Sequence, residues 1–302
     1  MEIPPEAFNL AIQHHQAGRV QEAEALYRQI LQAQPATMEA HYNLANLLGN
    51  EGKYEEAVAH YRKALELKPD CAEACLNLGN ALQALGRQDE ALKQYQGALA
   101  IKSDYAEAHG NLGSVFKDQG RLEEAEACCR RALAVKPAYA HAHSNLLFIL
   151  NYHPDKSGTE IFTAYREYDT RFGLPHREHW RPHRNSRDTA RRLKVGYVSP
   201  DFWNRSPRHF LEPLLAHHDK KVVEVYAYAE WAREDAVTER YKRYVDHWVP
   251  TRGLTDDALA ERIRADGIDI LVDLAGHTEN NRLAVFARKP APVSVSWLGY
   301  GY

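Results

Sequence analysis

Apolar residues in the first half of the chain follow a helical spacing inside a longer period of 34 residues. Leu44 and Leu48 lie on one face of a predicted helix, because residues three and four apart share a face. Gly52 follows this helix, and a second predicted helix runs from about Tyr54 to Pro69. Small residues keep the same period at Gly18, Gly52, Gly86 and Gly120 and at Ala23, Ala57, Ala91 and Ala125. A fixed period of this length predicts stacked helix pairs, that is, an α-solenoid.

One polar residue keeps the same period and forms what we call the asparagine ladder. Its members, each followed by leucine, are Asn9, Asn43, Asn77, Asn111 and Asn145. An amide both donates and accepts hydrogen bonds, so evenly spaced amides could bind the backbone of an extended peptide. The alternative interpretation is that each asparagine bonds between neighbouring helices. The repeats alone leave both interpretations open.

The pattern changes after residue 192, where short apolar runs alternate with amphipathic segments. The predicted strands are Leu193–Ser199, Val222–Ala229, Trp248–Val249, Ile268–Ala275 and Val293–Leu298. The predicted helices are about 207–217, 233–245, 255–266 and 282–288. Buried strands that alternate with helices predict a parallel sheet with both faces covered.

Two loops of this sheet carry candidate chemistry, since ligands of open parallel sheets bind beyond the carboxyl ends of the strands. In the first loop, Ser206 and Pro207 are typical of a helix N-cap and first helical residue, whose amides could hold an anion. In the second, His277 follows a glycine and is a candidate for proton transfer. The alternative is a surface loop histidine. Asp273 either orients His277 or caps the end of the strand, and the sequence favours neither.

The remaining features exclude several classes of function. The formal net charge of -3 gives no basic field for nucleic acid or an anionic membrane. No apolar run reaches the roughly 20 residues that span a bilayer, and the first residues do not resemble a signal peptide, so we expect a cytoplasmic protein. The four cysteines, Cys71, Cys75, Cys128 and Cys129, have no zinc-site spacing and are predicted to be core residues.

A junction separates the two halves. Residues 158–173 predict a helix whose aromatic face packs between the halves. Residues 174–192 are rich in proline and arginine, with Trp180 and histidines interleaved. This stretch is interpreted as a solvated connector rather than a phosphate site, because it has no recognised nucleic-acid motif.

The helix pairs resemble tetratricopeptide repeats, in four units at about 4–37, 38–71, 72–105 and 106–139 with one further helix. The segments LKVGYVSPDF (193–202), HFLEPLLAHHD (209–219), DGIDILVDLAGHT (266–278), NRLAVFARKPAP (281–292) and VSWLGY (295–300) resemble the protein O-GlcNAc transferase and SPINDLY family, its bacterial branch most. The expected fold is an α-solenoid over residues 4–151, a helix and basic linker over 152–192, and an α/β Rossmann-like lobe over 193–302.

The resemblance implies transfer of N-acetylglucosamine from UDP-N-acetylglucosamine, or of fucose from GDP-fucose, to Ser and Thr hydroxyls of proteins. The repeats would bind the acceptor polypeptide through the asparagine ladder and lead it toward His277. No metal or cofactor is implied, and neither nucleic acid nor a membrane is an expected partner.

Two departures from the family pattern affect these expectations. Arg205 occupies the position of a family histidine in the first loop, and arginine stays protonated and cannot act as a base. His209, four residues on, is a weaker substitute, which leaves His277, in a match to the family's Gly-His-Thr, as the better catalytic candidate, with Asp273 beside it as a candidate orienting residue. The family continues past Tyr300 into a second lobe that binds the nucleotide sugar, whereas this sequence ends at Tyr302.

We therefore expect the chain alone to be inactive. The alternatives are a non-catalytic peptide-binding scaffold and a split enzyme whose second lobe is a separate chain. Because the strand that ends at Leu298 would lie close to the second lobe, we also expect exposed apolar surface there and self-association.

Overall fold

Paired antiparallel helices build the first part of the protein. The computed structural model describes residues 7–230, 234–278 and 280–298, and the chain divides into two units, Met1–Ile149 and Leu150–Tyr302. The helix pairs are α1 (Ala7–Gln16) with α2 (Val20–Ala33), α3 (Met38–Asn50) with α4 (Tyr54–Leu67), α5 (Ala72–Ala84) with α6 (Gln88–Ile101), and α7 (Ala106–Asp118) with α8 (Leu122–Val135). Helix α9 (Ala140–Tyr152) follows. The predicted solenoid is confirmed, and residues 4–6 lie outside the described residues.

The periodic glycines end the first helix of each pair. Gly52 has a φ of +77°, a left-handed conformation that glycine adopts without steric cost. The next N–H, of Lys53, donates to Leu48 O at 2.9 Å, the bond that closes a Schellman cap. Gly18, Gly86 and Gly120 also have φ values between +70° and +73°. The chain therefore turns back in the same way in each repeat.

Small residues allow the paired helices to pack closely. A Cβ added to Gly79 on α5 would lie 2.4 Å from the Tyr95 ring on α6. Tyr95 is fully buried, and so is Cys129, which occupies the corresponding position on α8. The prediction that this position is buried is confirmed.

The second unit begins with the end of α9 and with α10 (Gly158–Tyr168). Ser157 and Glu160 form a capping box at the start of α10, with the Glu160 N–H donating to Ser157 Oγ at 3.2 Å. A π-helical turn (Asp169–Gly173) and a 3-10 helix (Leu174–His179) follow, so the α-helix ends earlier than the predicted residue 173.

A five-stranded parallel sheet forms the centre of the second unit. Its strands are β1 (Leu193–Ser199), β2 (Val223–Ala229), β3 (His247–Pro250), β4 (Ile270–Asp273) and β5 (Val293–Ser296), in the order β3-β2-β1-β4-β5. The helices between them are α11 (Arg208–Ala216), α12 (Ala236–Tyr244), α13 (Asp256–Asp266) and α14 (Leu283–Ala287). The Rossmann-like fold is confirmed, although β4 and β5 are shorter than predicted.

The sheet buries apolar side chains on both faces, as its alternating pattern requires. On one face, Val225 of β2 packs with Leu211 of α11 and Tyr241 of α12. On the other, Tyr228 of β2 packs with Ile263 of α13. Among the described residues, no helix is long and apolar enough to cross a bilayer.

Candidate functional site

The asparagine ladder bonds to the preceding repeat at three of its five positions. The Nδ2 atoms donate from Asn77 to Asn46 Oδ1 (3.0 Å), from Asn111 to Asn80 Oδ1 (2.7 Å) and from Asn145 to Ser114 Oγ (2.9 Å). These bonds correspond to the interpretation of the ladder as a link between neighbouring helices. The Oδ1 atoms of Asn77 and Asn111 accept no bond from the residues that the structure describes, so peptide binding through them stays a prediction.

A second row of asparagines, which we call the inner asparagines, consists of Asn46 and Asn80. Asn46 Oδ1 also accepts from the Tyr61 hydroxyl at 2.6 Å, and Asn80 Oδ1 accepts from the Tyr95 hydroxyl at 2.9 Å. Burial raises the pKa of both tyrosines, which therefore remain hydroxyl donors at neutral pH. Because each inner oxygen accepts from a tyrosine and from a ladder asparagine, the orientation of each inner amide is fixed.

This network changes at both ends of the array. In the first repeat, Ile12 stands at the position of the inner asparagines and cannot accept a hydrogen bond. The Tyr27 hydroxyl is consequently buried without a partner, and Asn43 has no acceptor one repeat back. In the fourth repeat, Cys129 replaces the tyrosine, and burial raises the pKa of its thiol to about 12.

The two inner asparagines and one ladder asparagine, Asn77, line a cleft of about 520 Å³ in the solenoid. Asn46, Asn77 and Asn80 contribute polar groups, and Tyr54 and Tyr61 contribute aromatic surface. Several polar groups of the first unit thus converge on this cleft.

In the second unit, the loops after β1 and β4 lie side by side. Val198 of β1 is in register with Asp273 of β4, and Leu274 N donates to Val198 O at 3.1 Å. The strand order also changes direction between β1 and β4, since β2 lies on one side and β5 on the other. Such a switch point is where parallel α/β sheets form a ligand crevice.

Asp273 caps the loop that carries His277. Its Oδ1 accepts from Ala275 N at 3.1 Å, and its Oδ2 accepts from Gly276 N at 2.9 Å and Ser296 Oγ at 3.0 Å. Burial raises the pKa of Asp273 and outweighs these bonds, which favour the carboxylate. Of the two predicted roles, these contacts correspond to capping.

His277 is buried, with only 9% of its surface exposed. Its ring packs edge-on against Tyr168 at a centroid distance of 4.5 Å and against Tyr165 at 5.5 Å, both on α10. Asn151 Nδ2 donates to the Tyr165 hydroxyl at 2.6 Å and holds that ring in place. The alternative of a surface loop histidine is therefore wrong, because the imidazole is buried and packs against two tyrosine rings.

Arg205 and His209 are both exposed. The Arg205 guanidinium lies 4.5 Å from the centre of the Trp203 ring, and His209 is on the first turn of α11. The predicted N-cap at Ser206 is wrong, because α11 begins at Arg208 with no side-chain cap. The N–H groups of Arg208 and His209 donate to the carbonyls of Arg205 and Ser206, so they are not directed at an anion.

The basic connector is tied to the sheet rather than solvated along its length. Arg191 forms two hydrogen bonds with the carboxylate of Asp269, at 2.6 and 2.7 Å. Asn185 Nδ2 donates to the same carboxylate at 2.7 Å, and Trp180 Nε1 donates to Ala287 O at 2.8 Å. The prediction of a solvated connector is wrong for Asn185 and Arg191, which are partly buried, whereas Trp180 is exposed although its indole N–H is bonded.

Three functional features were missed from the sequence. The inner asparagines had a usable signal, since Asn46, Asn80 and Ser114 share the period of 34 residues. The contacts of Tyr165 and Tyr168 with His277 had no signal in the sequence, because they depend on long-range packing. The bonds of Arg191 and Asn185 to Asp269 had none for the same reason. Among the described residues, no three His, Cys, Asp or Glu side chains are grouped as a metal site requires.

The chain matches known families in both units. Residues 136–302 match the profile of glycosyl transferase family 41. Residues 7–29, 50–86, 79–120 and 106–139 match profiles of tetratricopeptide repeats.

Two relatives are similar to about half of this chain or less. A probable UDP-N-acetylglucosamine--peptide N-acetylglucosaminyltransferase SPINDLY of Arabidopsis thaliana is 37% identical over 160 residues, 51% of this chain and 17% of that protein. A UDP-N-acetylglucosamine--peptide N-acetylglucosaminyltransferase of Caenorhabditis elegans is 38% identical over 120 residues, 39% of this chain and 10% of that protein.

A solved structure extends this similarity to most of the chain. A mutant O-GlcNAc transferase of Thermobaculum terrenum superposes with a TM-score of 0.79 at 34% identity, over 87% of this chain and 51% of that one. The chain thus spans about half of the solved transferase and less than a fifth of the plant relative.

Proposed function

Because the chain belongs to glycosyl transferase family 41, we propose that it serves in the transfer of a sugar from a nucleotide donor to Ser and Thr hydroxyls of proteins. The observation that carries the proposal is the union, in one chain, of tetratricopeptide repeats with a lobe of this family. Relatives named as peptide N-acetylglucosaminyltransferases support it. UDP-N-acetylglucosamine and GDP-fucose are the two donors to test.

In this proposal the solenoid binds the acceptor polypeptide. The Oδ1 atoms of Asn77 and Asn111 are suited to accept hydrogen bonds from peptide N–H groups, since their Nδ2 atoms are engaged by the preceding repeat. A backbone-directed contact of this kind would accept many sequences, because every residue except proline offers the same N–H donor.

His277 is the proposed proton acceptor for the substrate hydroxyl. The neutral imidazole has the chemistry for this step near neutral pH. Because its ring packs against Tyr165 and Tyr168, we propose that a tyrosine rotates or α10 shifts when substrate binds. Asp273 contributes by holding the loop that carries His277 in place.

We expect this 302-residue chain alone to transfer no sugar, since it spans about half of the solved transferase. The sharper test is a chimera in which this chain replaces the matching half of the Thermobaculum terrenum enzyme. We expect the chimera to glycosylate a Ser/Thr peptide, detected by mass spectrometry. His277→Ala should lower its rate about 100-fold or more, the typical size of an acid–base contribution.

His217→Ala in the same chimera is the matched control, because His217 is exposed at the end of α11 and the change should leave the rate unchanged. Transfer by the 302-residue chain alone, abolished by His277→Ala, would contradict the expected inactivity. A folded chimera with full activity after His277→Ala would remove His277 from the proposed mechanism.

A non-catalytic peptide-binding scaffold is the second candidate function. Arg205, at the position where the resemblance places a histidine, favours it, because arginine cannot accept a proton at neutral pH. A chimera that binds peptide but gains transfer only with Arg205→His would support the scaffold. An active chimera with Arg205 intact would exclude it.

A further inference from the structure

Two histidines meet in the second repeat, where α3 packs against α4. His41 on α3 and His60 on α4 place their Nδ1 atoms 2.9 Å apart, with ring centroids at 5.1 Å. His41 is 9% exposed and His60 is partly buried, so the contact is largely shielded from water. The fourth repeat has His109 and Cys128 at the same two positions, and no other repeat has histidine at both. The paired imidazoles are therefore particular to the second repeat.

A backbone carbonyl fixes the position of the proton on each ring. His41 Nε2 lies 3.0 Å from Pro35 O, and a carbonyl oxygen can only accept, so neutral His41 carries its proton on Nε2. The Nδ1 atom of His41 is then an acceptor, and His60 donates to it from Nδ1. The two neutral rings thus adopt different tautomers, and a single N–H joins α3 to α4.

This geometry limits how many protons the pair can take up. A histidinium ring is a donor at both nitrogens, so two charged rings would direct N–H groups at each other across 2.9 Å. One added proton is compatible with the contact, because charged His60 still donates from Nδ1 to neutral His41. The second is not. The folded pair therefore holds at most one of the two protons that two separate histidines would bind in acid.

The charged groups around the pair do not relieve this limit. Burial is the largest influence on His60 and holds its pKa below the ordinary value. Arg28 of α2 disfavours the charged form of His60, and Glu56 of α4 favours it. These two pair with each other at 3.0 Å, and Arg28 also pairs with Glu24 at 2.6 Å. Glu56 is thus already the partner of a cation.

We propose that the contact between His41 and His60 is a pH-sensitive switch that weakens the packing of α3 against α4 in mildly acidic solution. Above a pH of about 6.5 both rings are neutral in the folded and the unfolded chain, and the contact is complete. Below it, the unfolded segment binds two protons while the folded pair holds one, so stability falls as the pH falls. The same two helices contribute Asn46 and Tyr61 to the cleft. Weaker peptide binding in acid would follow from the proposed function, whereas the switch itself does not depend on it.

Hydrogen exchange measured by mass spectrometry tests the switch in the full chain. Helix pairs of a solenoid open locally, so exchange reports the stability of each repeat. Protection of α3 and α4 is compared between pH of about 7 and about 5, after correction for the intrinsic exchange rate, with α7 and α8 as the internal reference. Relative to that reference, protection of α3 and α4 should fall about 20-fold, the effect of one withheld proton over this range.

His60→Asn separates the switch from other effects of acid. The amide can donate to neutral His41 or, once rotated, accept from charged His41, so the limit on protons disappears. The 20-fold fall in protection should therefore be absent in this variant. His109→Gln is the matched control, because His109 makes the same kind of contact, from Nε2 to Ser103 O at 2.9 Å, with a cysteine in place of the second imidazole. It should leave the fall in α3 and α4 unchanged.

Nitrogen NMR of the imidazoles tests the proton assignment without any substitution. At neutral pH, His41 should carry its proton on Nε2 and His60 on Nδ1. Both protons on Nε2 would overturn the switch, and so would an unchanged protection of α3 and α4 in acid or an equal loss in His60→Asn. None of these measurements involves sugar transfer or a peptide, so failure of the switch is distinguishable from failure of the proposed function.

Discussion

At the scale of single residues, the buried tyrosine hydroxyls of the solenoid differ in whether an acceptor is within reach. The Tyr95 hydroxyl contacts Asn80 Oδ1 at 2.9 Å and Gln83 Oε1 at 2.8 Å. The Tyr27 hydroxyl is buried without a hydrogen-bond partner among the described residues, because Ile12 occupies the acceptor position. A buried hydroxyl without a partner loses its bonds to water and gains none in return.

This difference predicts that replacing tyrosine with phenylalanine will change the free energy of unfolding differently at the two positions. Tyr95→Phe should lower the free energy of unfolding by about 1 kcal/mol, since it removes satisfied hydrogen bonds. Tyr27→Phe should leave that free energy unchanged or raise it, because the hydroxyl that it removes is unsatisfied. Urea unfolding followed by circular dichroism measures both variants, and hydrogen exchange locates the effect in the corresponding helices.

Ile12→Asn supplies the missing acceptor and serves as the control. It should stabilise the first repeat when Tyr27 is present and should give no gain in the Tyr27→Phe background. An equal gain in both backgrounds would show that the hydroxyl is not the cause.

At the scale of elements, Asp269 connects the basic connector to β1 and β4. Its carboxylate, only 9% exposed, accepts from Arg191, from Asn185 and from the backbone N–H of Lys194 at 2.9 Å. Burial opposes ionisation of Asp269, but these donors together outweigh it and hold its pKa below the ordinary value. The connector is therefore anchored by a carboxylate that must be ionised to make its bonds.

Asp269→Asn should destabilise the second unit by about 2 kcal/mol, because it removes the charged acceptor of the bonds from Arg191, Asn185 and the Lys194 N–H. The sign of the pH dependence follows from the lowered pKa. The contribution of Asp269 is complete above the ordinary carboxyl pKa and is lost as the pH falls through the lowered folded-state value. Thermal melts of both proteins from neutral to acid pH should therefore converge at low pH.

Asp169→Asn is the control for this experiment. Asp169 pairs with Arg177 at 3.2 Å, but both side chains are more than half exposed, so the change should cost at most about 0.5 kcal/mol. Equal losses from Asp169→Asn and Asp269→Asn would mean that burial of the pair does not determine its contribution.

At the scale of the whole molecule, β5 is an edge strand with exposed apolar side chains. Val293 is 47% exposed and Val295 is 45% exposed, and β5 pairs only with β4 in the described sheet. An apolar edge strand is a template for pairing with another chain unless something covers it.

We therefore expect the purified chain to self-associate as its concentration rises. The double substitution Val293→Lys and Val295→Lys should shift the population to monomer, as measured by sedimentation velocity. Val222→Lys changes an exposed valine that precedes β2 and should leave association unchanged. Monomeric behaviour of the unchanged chain across the accessible concentrations would contradict the expectation.

Local patterns were sufficient to predict most of the fold. The 34-residue period located the helix pairs, and alternation of apolar runs located the five strands, because both signals arise from contacts that repeat along the chain. The burial of His277 could not be predicted, since Tyr168 lies more than a hundred positions earlier. The ordering of the connector by Asp269 was missed for the same physical reason: its contacts join distant segments.

The bonding pattern of the solenoid also has a consequence for how such arrays change in length. Each complete network takes its tyrosine and inner asparagine from one repeat and its ladder asparagine from the next, as in Tyr61, Asn46 and Asn77. Removing residues 72–105 would place Asn111 where Asn77 now stands, and the junction would still be complete. Duplication or loss of residues 72–105 therefore preserves these contacts, so evolution can lengthen or shorten the array at this point without inventing a new interface.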